Sequence, residues 1–384
     1  MKKTLIIWLD AVSPDLIQGN MPFLEKLRSG SEFRRFKTHL GFSTSLGATF
    51  FTGVTPDRHN QFFLFKRGSN WTYRHFWWMP QMFMDGLNNI VRLLEGKSYF
   101  YMAPKGIPRR LLKFFSGSVD ENYCAPGSLP VPTLFDKLRE KGRRFVYLKW
   151  PVFGTEERTT LTFSKNSDER RAMSLISTFS DEVDLYFAYF VDMDVKGHLI
   201  KGDNEYLSEL TEEDRRIRQV VSEFRGRFPD SNVIIWADHG MVRVKERVDI
   251  MSKLNALAPG AVLGSNYLCF LDATVARFWF MDKKSEKLVK GVLSGIKEGK
   301  ILSQMELKKF GVPADDAYGQ LYFLLKPGYL VHPNYFTGKR ELYRMHGYSP
   351  ETKEMEGFFL YSGRAKCPKM KDLKDCYKFL LRLL

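Results

Sequence analysis

The sequence is poor in cysteine and contains no long apolar run. Its cysteines stand singly and far apart, without a CxxC pair, at Cys124, Cys269, Cys367 and Cys376. This pattern excludes a disulfide scaffold and favours reduced, structural thiols. The N-terminal apolar run, Leu5 to Leu9, is too short for a signal peptide, and no stretch approaches the roughly 18 apolar residues that a membrane-spanning helix needs. We therefore expect a soluble, cytoplasmic protein.

Internal repeats, low-complexity tracts and zinc-finger, KH or RRM signatures are also missing. The charge, by contrast, is unbalanced: 59 Lys and Arg against 44 Asp and Glu leave 59 − 44 = 15 positive charges. This surplus attracts phosphates, nucleic acids or acidic lipid surfaces without choosing among them, and solvated surface charge is the alternative explanation. A nucleic-acid binder would rest on charge alone, so we do not expect one, whereas peripheral membrane contact stays open.

The sequence does contain an alternation of strand-like and helix-like segments. The run Thr4 to Leu9 is β-rich, and Met21 to Ser29 has helical spacing. The same rhythm returns in PTLFDKLREKG, RRFVYLKW, VDLYFAYFV, LSELTEEDRRIRQVVSEFRGRF and SNVIIWAD. With 384 residues the chain is long enough for one large domain. We predict an α/β fold with a mostly parallel central sheet flanked by helices, in a single catalytic domain over 1–384.

Two segments interrupt this alternation of strands and helices and are predicted to be inserts. Residues 250–340 indicate a smaller α+β subdomain, and residues 60–125 form an aromatic and basic cap region. The basic residues of the cap are Lys66, Arg67, Arg74, Arg92, Lys97, Arg109, Arg110 and Lys113. This composition suits an amphiphilic anionic ligand, either a lipid-linked or glycan phosphate or a nucleotide whose base stacks on the rings. An aromatic minicore under a basic surface is the alternative.

Acidic residues follow three of the predicted strands: Asp10, Asp192 or Asp194, and Asp238. In open parallel sheets the carboxyl ends of the strands line a common crevice, so these acids are candidate site residues.

Histidines accompany these acids at spacings that suit metal binding. Asp194 and His198 are four residues apart, close enough to bind one ion, and Asp238 and His239 leave a strand together. His346 lies in a late MHGY segment. Each pattern alone has an ordinary explanation in a solvated loop or a surface histidine. The complete set of acids and histidines, each in a loop, makes metal binding the stronger hypothesis.

The segment GFSTSLGATFFTG places hydroxyl side chains before a helix-like run. Ser43, Thr44 and Ser45 are therefore near a helix N-terminus, where a phosphoryl group is favourably placed. Ordinary helix capping explains the same residues.

The order of these motifs resembles the nucleotide pyrophosphatase/phosphodiesterase branch of the alkaline phosphatase superfamily, over most of the chain. That family has an Asp after its first strand, a Thr or Ser nucleophile ten residues before the Gly of a TG step, a DxxxH, a DH pair and a late His. The matching residues are Asp10, Ser43 before Thr52 and Gly53, Asp194 with His198, Asp238 with His239, and His346. The resemblance implies an alkaline-phosphatase-like core.

The resemblance further implies a centre with two divalent metal ions. One metal would be held by Asp194, His198 and His346. The other would be held by Asp10, Asp238, His239 and the Ser43 oxygen. Mixed carboxylate and imidazole ligands suit Zn²⁺, with Mn²⁺ as the alternative. The implied reaction forms a covalent phosphoenzyme on the nucleophile, which water then hydrolyses.

Two departures from the family pattern bear on the site. Ser43 stands where many relatives have Thr, and Thr44 becomes the nucleophile if the loop is shifted by one residue. Relatives commonly follow TPxxHG with a nearby Asn that binds a phosphate oxygen, whereas this chain reads TPDRHNQFF and has Asn60 where Gly is usual. The oxyanion contact is therefore unassigned, with Asn60 and Lys149 as candidates.

These features favour a metal-dependent phosphodiesterase or pyrophosphatase acting on an anionic phosphate ester, such as a nucleotide-sugar, glycan or lipid-linked phosphate. A phosphomonoesterase or phosphomutase on the same scaffold is the alternative. A sulfatase would be expected to show a CxPxR segment, and none is present.

Overall fold

The computed structural model describes residues 2–69, 74–76, 78–94, 106–118, 122–149, 152–157, 159–161 and 167–383. Its centre is an eight-stranded sheet. In spatial order the strands are Glu32–Phe36, Gly357–Ser362, Asn232–Ala237, Thr4–Leu9, Leu185–Phe190, Phe145–Lys149, Val152–Thr155 and Thr159–Leu161. The four strands from Asn232–Ala237 to Phe145–Lys149 are parallel, and the strands on either side of them pair antiparallel. The predicted α/β class is confirmed, with a sheet that is parallel at its centre and mixed overall.

The central strands are buried because helices cover both faces of the sheet. Along Thr4–Leu9, Leu5, Ile7 and Leu9 face one apolar layer, while Ile6 and Trp8 face the other. The first layer includes the helices Pro22–Ser29, Asp168–Ser177 and Asp203–Arg227, and the second includes Ser43–Thr52, Leu134–Glu140 and Asp375–Leu383. Strands covered on both faces need near-continuous apolar sequence, as in TLIIWL and NVIIWA.

A second, four-stranded antiparallel sheet lies within residues 250–340. Its strands, in spatial order, are Tyr267–Leu271, Val275–Phe280, Leu321–Leu325 and Gly299–Ile301. The accompanying helices are Ile250–Leu257, Lys283–Ser294 and Gln304–Lys309. Residues of the predicted cap, including Phe65, Met84 and Phe115, share one apolar core with this sheet. The two predicted inserts therefore share one apolar core.

Shorter elements complete the described chain. Three strand pairs join Phe65–Arg67 to Phe115–Gly117, Val242–Arg243 to Arg344–Met345, and Glu246–Val248 to Tyr329–Val331. The remaining α-helices are Pro56–His59, Gln81–Leu94, Arg109–Leu112 and Asp192–Leu199, and the 3-10 helices are Pro14–Leu16 and Lys353–Met355. None of the described helices combines the length and the apolar character that crossing a bilayer requires.

The predicted cap contains both of the features that its composition indicates. Its phenylalanines at Phe63, Phe65 and Phe115 are buried, whereas the side chains of Arg67, Arg74, Arg109, Arg110 and Lys113 are exposed. This matches the alternative of an aromatic minicore under a basic surface. Lys97 and the Arg92 side chain lie outside the described part of the chain.

Candidate metal centre

The acids that follow three central strands meet at one edge of the sheet. The strands before Asp10, Asp194 and Asp238 run parallel and in register, so their carboxyl ends share that edge. Asp10 and Asp238 directly follow their strands, whereas Asp194 lies in the first turn of the helix Asp192–Leu199. The Asp192 carboxylate lies 3.8 Å from the ammonium group of Lys196, one turn further along that helix. Asp194, in contrast, lies next to two histidines.

The first group of metal-ligand type is the triad Asp194, His198 and His346. The Asp194 Oδ1 atom lies 3.3 Å from Nε2 of His198 and 3.2 Å from Nε2 of His346. The Nδ1–H group of His198 donates a hydrogen bond to the carbonyl of Arg344 at 2.9 Å. Because a carbonyl only accepts, this contact keeps the His198 proton on Nδ1 and leaves the Nε2 lone pair facing the triad.

His346 reaches the triad from a loop that requires glycine. Gly347 has a φ of 79°, in the left-handed region, and a Cβ atom there would lie 2.8 Å from the Phe42 ring. The Thr274 hydroxyl donates a hydrogen bond to the Gly347 carbonyl at 2.7 Å. The HG step of the MHGY segment therefore sets the position of the histidine.

The second group is the triad Asp10, Asp238 and His239. The His239 Nε2 atom lies 3.7 Å from Asp10 Oδ1 and 3.4 Å from Asp238 Oδ2. The Nδ1–H group of His239 donates to the Gly240 carbonyl at 3.1 Å, so Nε2 again presents a lone pair. The Tyr189 hydroxyl donates a hydrogen bond to Asp10 Oδ2 and orients that carboxylate. The two triads adjoin, since the His239 and His346 rings stack.

The carboxylates of the two triads are close together and buried. Burial, followed by the charges of Asp238 and Asp194, raises the pKa of Asp10 well above its usual range. Burial also raises the pKa of Asp238 to about 6, and its Oδ2 atom has no hydrogen-bond partner among the described residues. Burial alone would raise the pKa of Asp194 as well, but His198 and His346 outweigh it and hold that pKa well below the usual range. Asp10 and Asp238 therefore need nearby positive charge to be ionised.

The stacked histidines are neutral and do not supply that charge. Burial lowers the pKa of His239 and of His346 to about 4. Neutral imidazoles whose Nε2 atoms face carboxylates, together with the Asp194 and Asp238 oxygens that have no hydrogen-bond partner among the described residues, are the donor set of a divalent metal site. The residues present in both triads fit divalent cations for this reason.

Ser43 is the hydroxyl residue in contact with the second triad. It is the first residue of the helix Ser43–Thr52. Its hydroxyl donates a hydrogen bond to Asp10 Oδ1 at 3.2 Å and lies 3.0 Å from His239 Nε2. The Thr44 hydroxyl oxygen is buried and makes no hydrogen bond within the described part of the protein. The Ser45 hydroxyl donates to the Phe42 carbonyl at 3.1 Å.

A cavity of about 290 Å³ opens on these side chains. From the site it is lined by Asp10, Ser43, Thr44, Tyr189, Asp194 and His346, and from other segments by Phe42, Leu64, Asp272, Ala273, Phe336 and Met345. The hydroxyl of Ser43 and members of both triads therefore face one space. A substrate in this cavity would contact both triads together.

The two candidates for the oxyanion contact have different positions. Asn60 is exposed, has a φ of 60° and ends the helix Pro56–His59, which explains why glycine is usual at this position. It is not among the residues that line the cavity. Lys149 is buried, and its ammonium group lies 3.7 Å from the centre of the Tyr189 ring. The lysine thus lies behind the residue that orients Asp10.

Several residues at the site were missed by sequence reasoning. Tyr189 appeared only as an apolar residue of a predicted strand, although it binds Asp10. Asp168 accepts hydrogen bonds from the backbone N–H groups of Val191 at 3.1 Å and Asp192 at 2.5 Å, at the start of the helix that carries Asp194. No local pattern marks either residue, because each acts through contacts with distant segments.

Comparisons with known proteins show the family and the fold of this chain. The model of the type I phosphodiesterase/nucleotide pyrophosphatase family matches residues 4–349. No curated protein matches the chain significantly. Among solved structures, murine ectonucleotide pyrophosphatase/phosphodiesterase 5, as an inactive variant in complex with AMP, superposes with a TM-score of 0.70 and 15% identity, over 100% of this chain and 95% of that one. The human form superposes with a TM-score of 0.71 and 16% identity, over 100% and 94% of the two chains.

The two kinds of comparison support different conclusions. At these identities the structural likeness shows the fold. The family match covers most of the chain, including both candidate triads. This chain therefore belongs to the type I phosphodiesterase/nucleotide pyrophosphatase family of hydrolases.

Proposed function

We propose that this protein hydrolyses phosphodiester or pyrophosphate bonds, with Ser43 as the nucleophile of a centre that holds two divalent metal ions. One observation carries the proposal. The Ser43 hydroxyl lies 3.2 Å from Asp10 and 3.0 Å from His239, in a cavity that also exposes the other triad. A nucleophile next to two groups of metal ligands is the arrangement that phosphoryl transfer requires.

The proposed metal ligands are the two triads. Asp194, His198 and His346 would hold one ion, and Asp10, Asp238 and His239, with the Ser43 oxygen, would hold the other. Carboxylate and imidazole donors favour Zn²⁺, with Mn²⁺ as the alternative. When bound, two such ions lower the pKa of the hydroxyl and neutralise charge on the phosphoryl oxygens.

The chain's own residues orient the reacting atoms. Tyr189 holds one oxygen of Asp10, so the other oxygen faces the Ser43 hydroxyl. Ser43 is also the first residue of a ten-residue helix, so a phosphoryl group bound there would lie next to the positive end of the helix dipole. In the first step the serine hydroxyl loses its proton and its oxygen bonds to phosphorus, while the bond from phosphorus to the leaving alcohol or phosphate breaks and that leaving group takes up a proton. Water then cleaves the phosphoserine and releases the second product.

The substrate is an anionic phosphate ester. A solved relative and the predicted cap region each support one candidate for the group that the phosphate carries. The murine relative is described in complex with AMP, which supports a nucleotide-like ester as one candidate. A glycan or lipid-linked phosphate is the other. It is supported by the helix Gln81–Leu94, where Met82, Phe83 and Leu94 are 76%, 57% and 84% exposed. A cap region that exposes both apolar side chains and arginines suits peripheral contact with an anionic lipid surface.

The domain organisation and the cellular location are also part of the proposal. We propose that the cap region 60–125 and the subdomain 250–340 serve one catalytic domain over 1–384. We further propose that the protein works in the cytoplasm, which its four buried and widely spaced cysteines support.

Metal analysis combined with two chromogenic esters tests the central proposal. After reconstitution with zinc or manganese, we expect about two divalent ions per chain. The ratio of turnover on bis-p-nitrophenyl phosphate to turnover on p-nitrophenyl phosphate then reports the preference for diesters or monoesters. A ratio above one supports the proposal, and a ratio well below one favours the phosphomonoesterase alternative. Fewer than one bound ion per chain, with neither ester cleaved, contradicts the proposal.

A further inference from the structure

One acid that lines the catalytic cavity belongs to neither triad. Asp272 lies in the turn between the strands Tyr267–Leu271 and Val275–Phe280 of the smaller sheet. It faces the same cavity as Ser43 and keeps 9% of its side-chain surface exposed. A buried carboxylate directed into a substrate cavity loses solvation, so it needs either a structural partner or a ligand.

Among the described residues, the Asp272 carboxylate is held by Arg277 and by its own backbone N–H group. The Nε–H group of Arg277 donates to Asp272 Oδ2 at 2.7 Å. Arg277 is itself fully buried, and its Nη1 group donates to the carbonyls of Phe65 and Tyr318, both at 2.9 Å. Its guanidinium group also lies 4.2 Å from the centre of the Phe63 ring. Arg277 therefore holds the acid in place from behind and leaves the remaining oxygen as an acceptor.

The other walls of this part of the cavity are apolar. They are formed by Phe42, Leu64, Ala273, Phe336 and Met345. Among the described residues that line the cavity, none is a lysine or an arginine. A second phosphate group would need such a cation, whereas a small organic group with one hydrogen-bond donor matches an apolar wall with a single acceptor.

We propose that Asp272 binds a hydroxyl or ammonium group carried by an alcohol that is esterified to the substrate phosphorus. The preferred substrates are then phosphodiesters of polyhydroxy or amino alcohols. Phosphoanhydrides, which would place a second phosphate in the same space, are poorer substrates. This inference rests on the proposed function, since it names the substrate of the same centre.

Four matched diesters of 4-nitrophenyl phosphate test the inference with the metal-loaded protein. Their second ester group is ethyl, 2-hydroxyethyl, 2-aminoethyl or 2-carboxyethyl, and release of nitrophenolate gives kcat/KM for each. A hydrogen bond to a charged acceptor raises kcat/KM roughly tenfold over the ethyl ester. We expect this gain for the hydroxyethyl or the aminoethyl ester, and a loss for the carboxyethyl ester. The larger of the two gains shows whether a hydroxyl or an ammonium group is the natural donor.

Two variants connect the preference to Asp272. Asp272→Asn keeps an acceptor oxygen but removes the charge, so the gain of the aminoethyl ester should fall more than that of the hydroxyethyl ester. Paired replacement of Asp272 and Arg277 by leucine removes both charges together and avoids leaving an unpaired buried arginine. In that variant the rates for the donor esters and the ethyl ester should become equal. Asp282→Asn, at the cap of the helix Lys283–Ser294, is the matched control and should keep the wild-type ratios.

The kcat/KM values of the donor esters, each divided by that of the ethyl ester, distinguish failure of the inference from failure of the proposed function. If the ethyl ester is cleaved but the donor esters show no gain, the inference is wrong and the proposed function stands. A gain that persists in both Asp272 variants also overturns the inference. If none of the four diesters is cleaved by the metal-loaded protein, the proposed function itself fails. Thermal unfolding of each variant shows whether it is folded, and the comparison of esters within one variant is independent of the fraction of active protein.

Discussion

The imidazole rings of His239 and His346 stack on each other, with ring centroids 4.0 Å apart and planes inclined by 14°. Each ring belongs to a different triad, so the two candidate metal sites are in direct contact through these rings. The contact joins two distant parts of the chain, the end of a central strand and the late MHGY segment. A change in either ring should therefore affect both sites.

Replacement of His346 by alanine tests this coupling. It removes one of three ligands from the first triad and the stacking partner of His239, so we expect one ion to be lost and the other to bind more weakly. Metal content after dialysis should fall from about two ions to about one per chain. His75→Ala is the control, because His75 is exposed in the cap region. Retention of two tightly bound ions in the His346 variant would exclude this residue as a ligand.

The identity of the nucleophile is tested by two neighbouring substitutions. Ser43→Ala should lower kcat at least about a thousandfold, as loss of a covalent nucleophile does, while metal content stays nearly unchanged. Thr44→Val keeps the shape of a buried side chain whose hydroxyl makes no hydrogen bond in the described structure, so its effect should be small. The reverse pattern of rates would assign the nucleophile to Thr44.

Asp168 should act on the metal through the helix Asp192–Leu199. Its carboxylate accepts two backbone N–H groups at the start of that helix, and the amide group of Asn can accept only on its oxygen. We expect Asp168→Asn to weaken metal binding at the first triad roughly 10- to 100-fold, as loss of a supporting contact does. Calorimetric titration measures this, with Asp181→Asn as the exposed control. Unchanged binding at both sites would show that the helix is held without Asp168.

A pair of histidines, His59 buried and His39 half-buried, predicts how stability depends on pH. The Thr49 hydroxyl lies 2.9 Å from Nε2 of His39 and 3.0 Å from Nε2 of His59, and Thr49 belongs to the helix that begins at Ser43. Burial, followed by the charge of His39, lowers the pKa of His59 from 6.5 to about 3. Below pH 6.5 the unfolded chain therefore binds a proton that the folded chain does not accept, and stability falls as the pH drops from 6.5 toward 3.

This histidine alone should cost about 2 kcal/mol of stability between pH 7 and pH 5. His59→Gln keeps a donor toward Thr49 but does not titrate, so its unfolding free energy should fall less over the same range. Chemical unfolding at each pH measures the difference, and His75→Gln should behave like the parent protein. Parallel pH profiles for the parent and the His59 variant would contradict a buried, neutral His59.

The exposed apolar side chains of the cap predict binding to anionic vesicles. Phe83→Asp combined with Leu94→Asp should reduce co-sedimentation with phosphatidylserine vesicles, because both the apolar contact and the charge attraction are weakened. Met305→Asp is the control, since Met305 is 80% exposed on a helix outside the cap. Equal binding of the parent protein to neutral and anionic vesicles, or no binding to either, would rule out this surface as an anionic lipid contact.

The central strands and the ligand-type residues could be predicted from the sequence because their signals are local. Apolar runs such as TLIIWL and NVIIWA predict buried strands. Because the carboxyl ends of parallel strands lie at one edge of a sheet, the acids that follow these strands are expected to meet there. The antiparallel partners Gly357–Ser362 and Glu32–Phe36 were not predicted. Their place at the side of the sheet depends on pairing between segments far apart in the chain, which no local pattern encodes.

By itself, the sequence determined the α/β class, the family and the ligand-type residues, since these rest on residue types and spacings within segments and on the order of those segments along the chain. Only the tertiary structure placed the hydroxyl of Ser43, rather than that of Thr44, against Asp10 and His239. It also brought Tyr189, Asp168 and Asp272 to their positions. These outcomes depend on the direction of single side chains and on contacts between distant segments, which form only when the whole chain has folded.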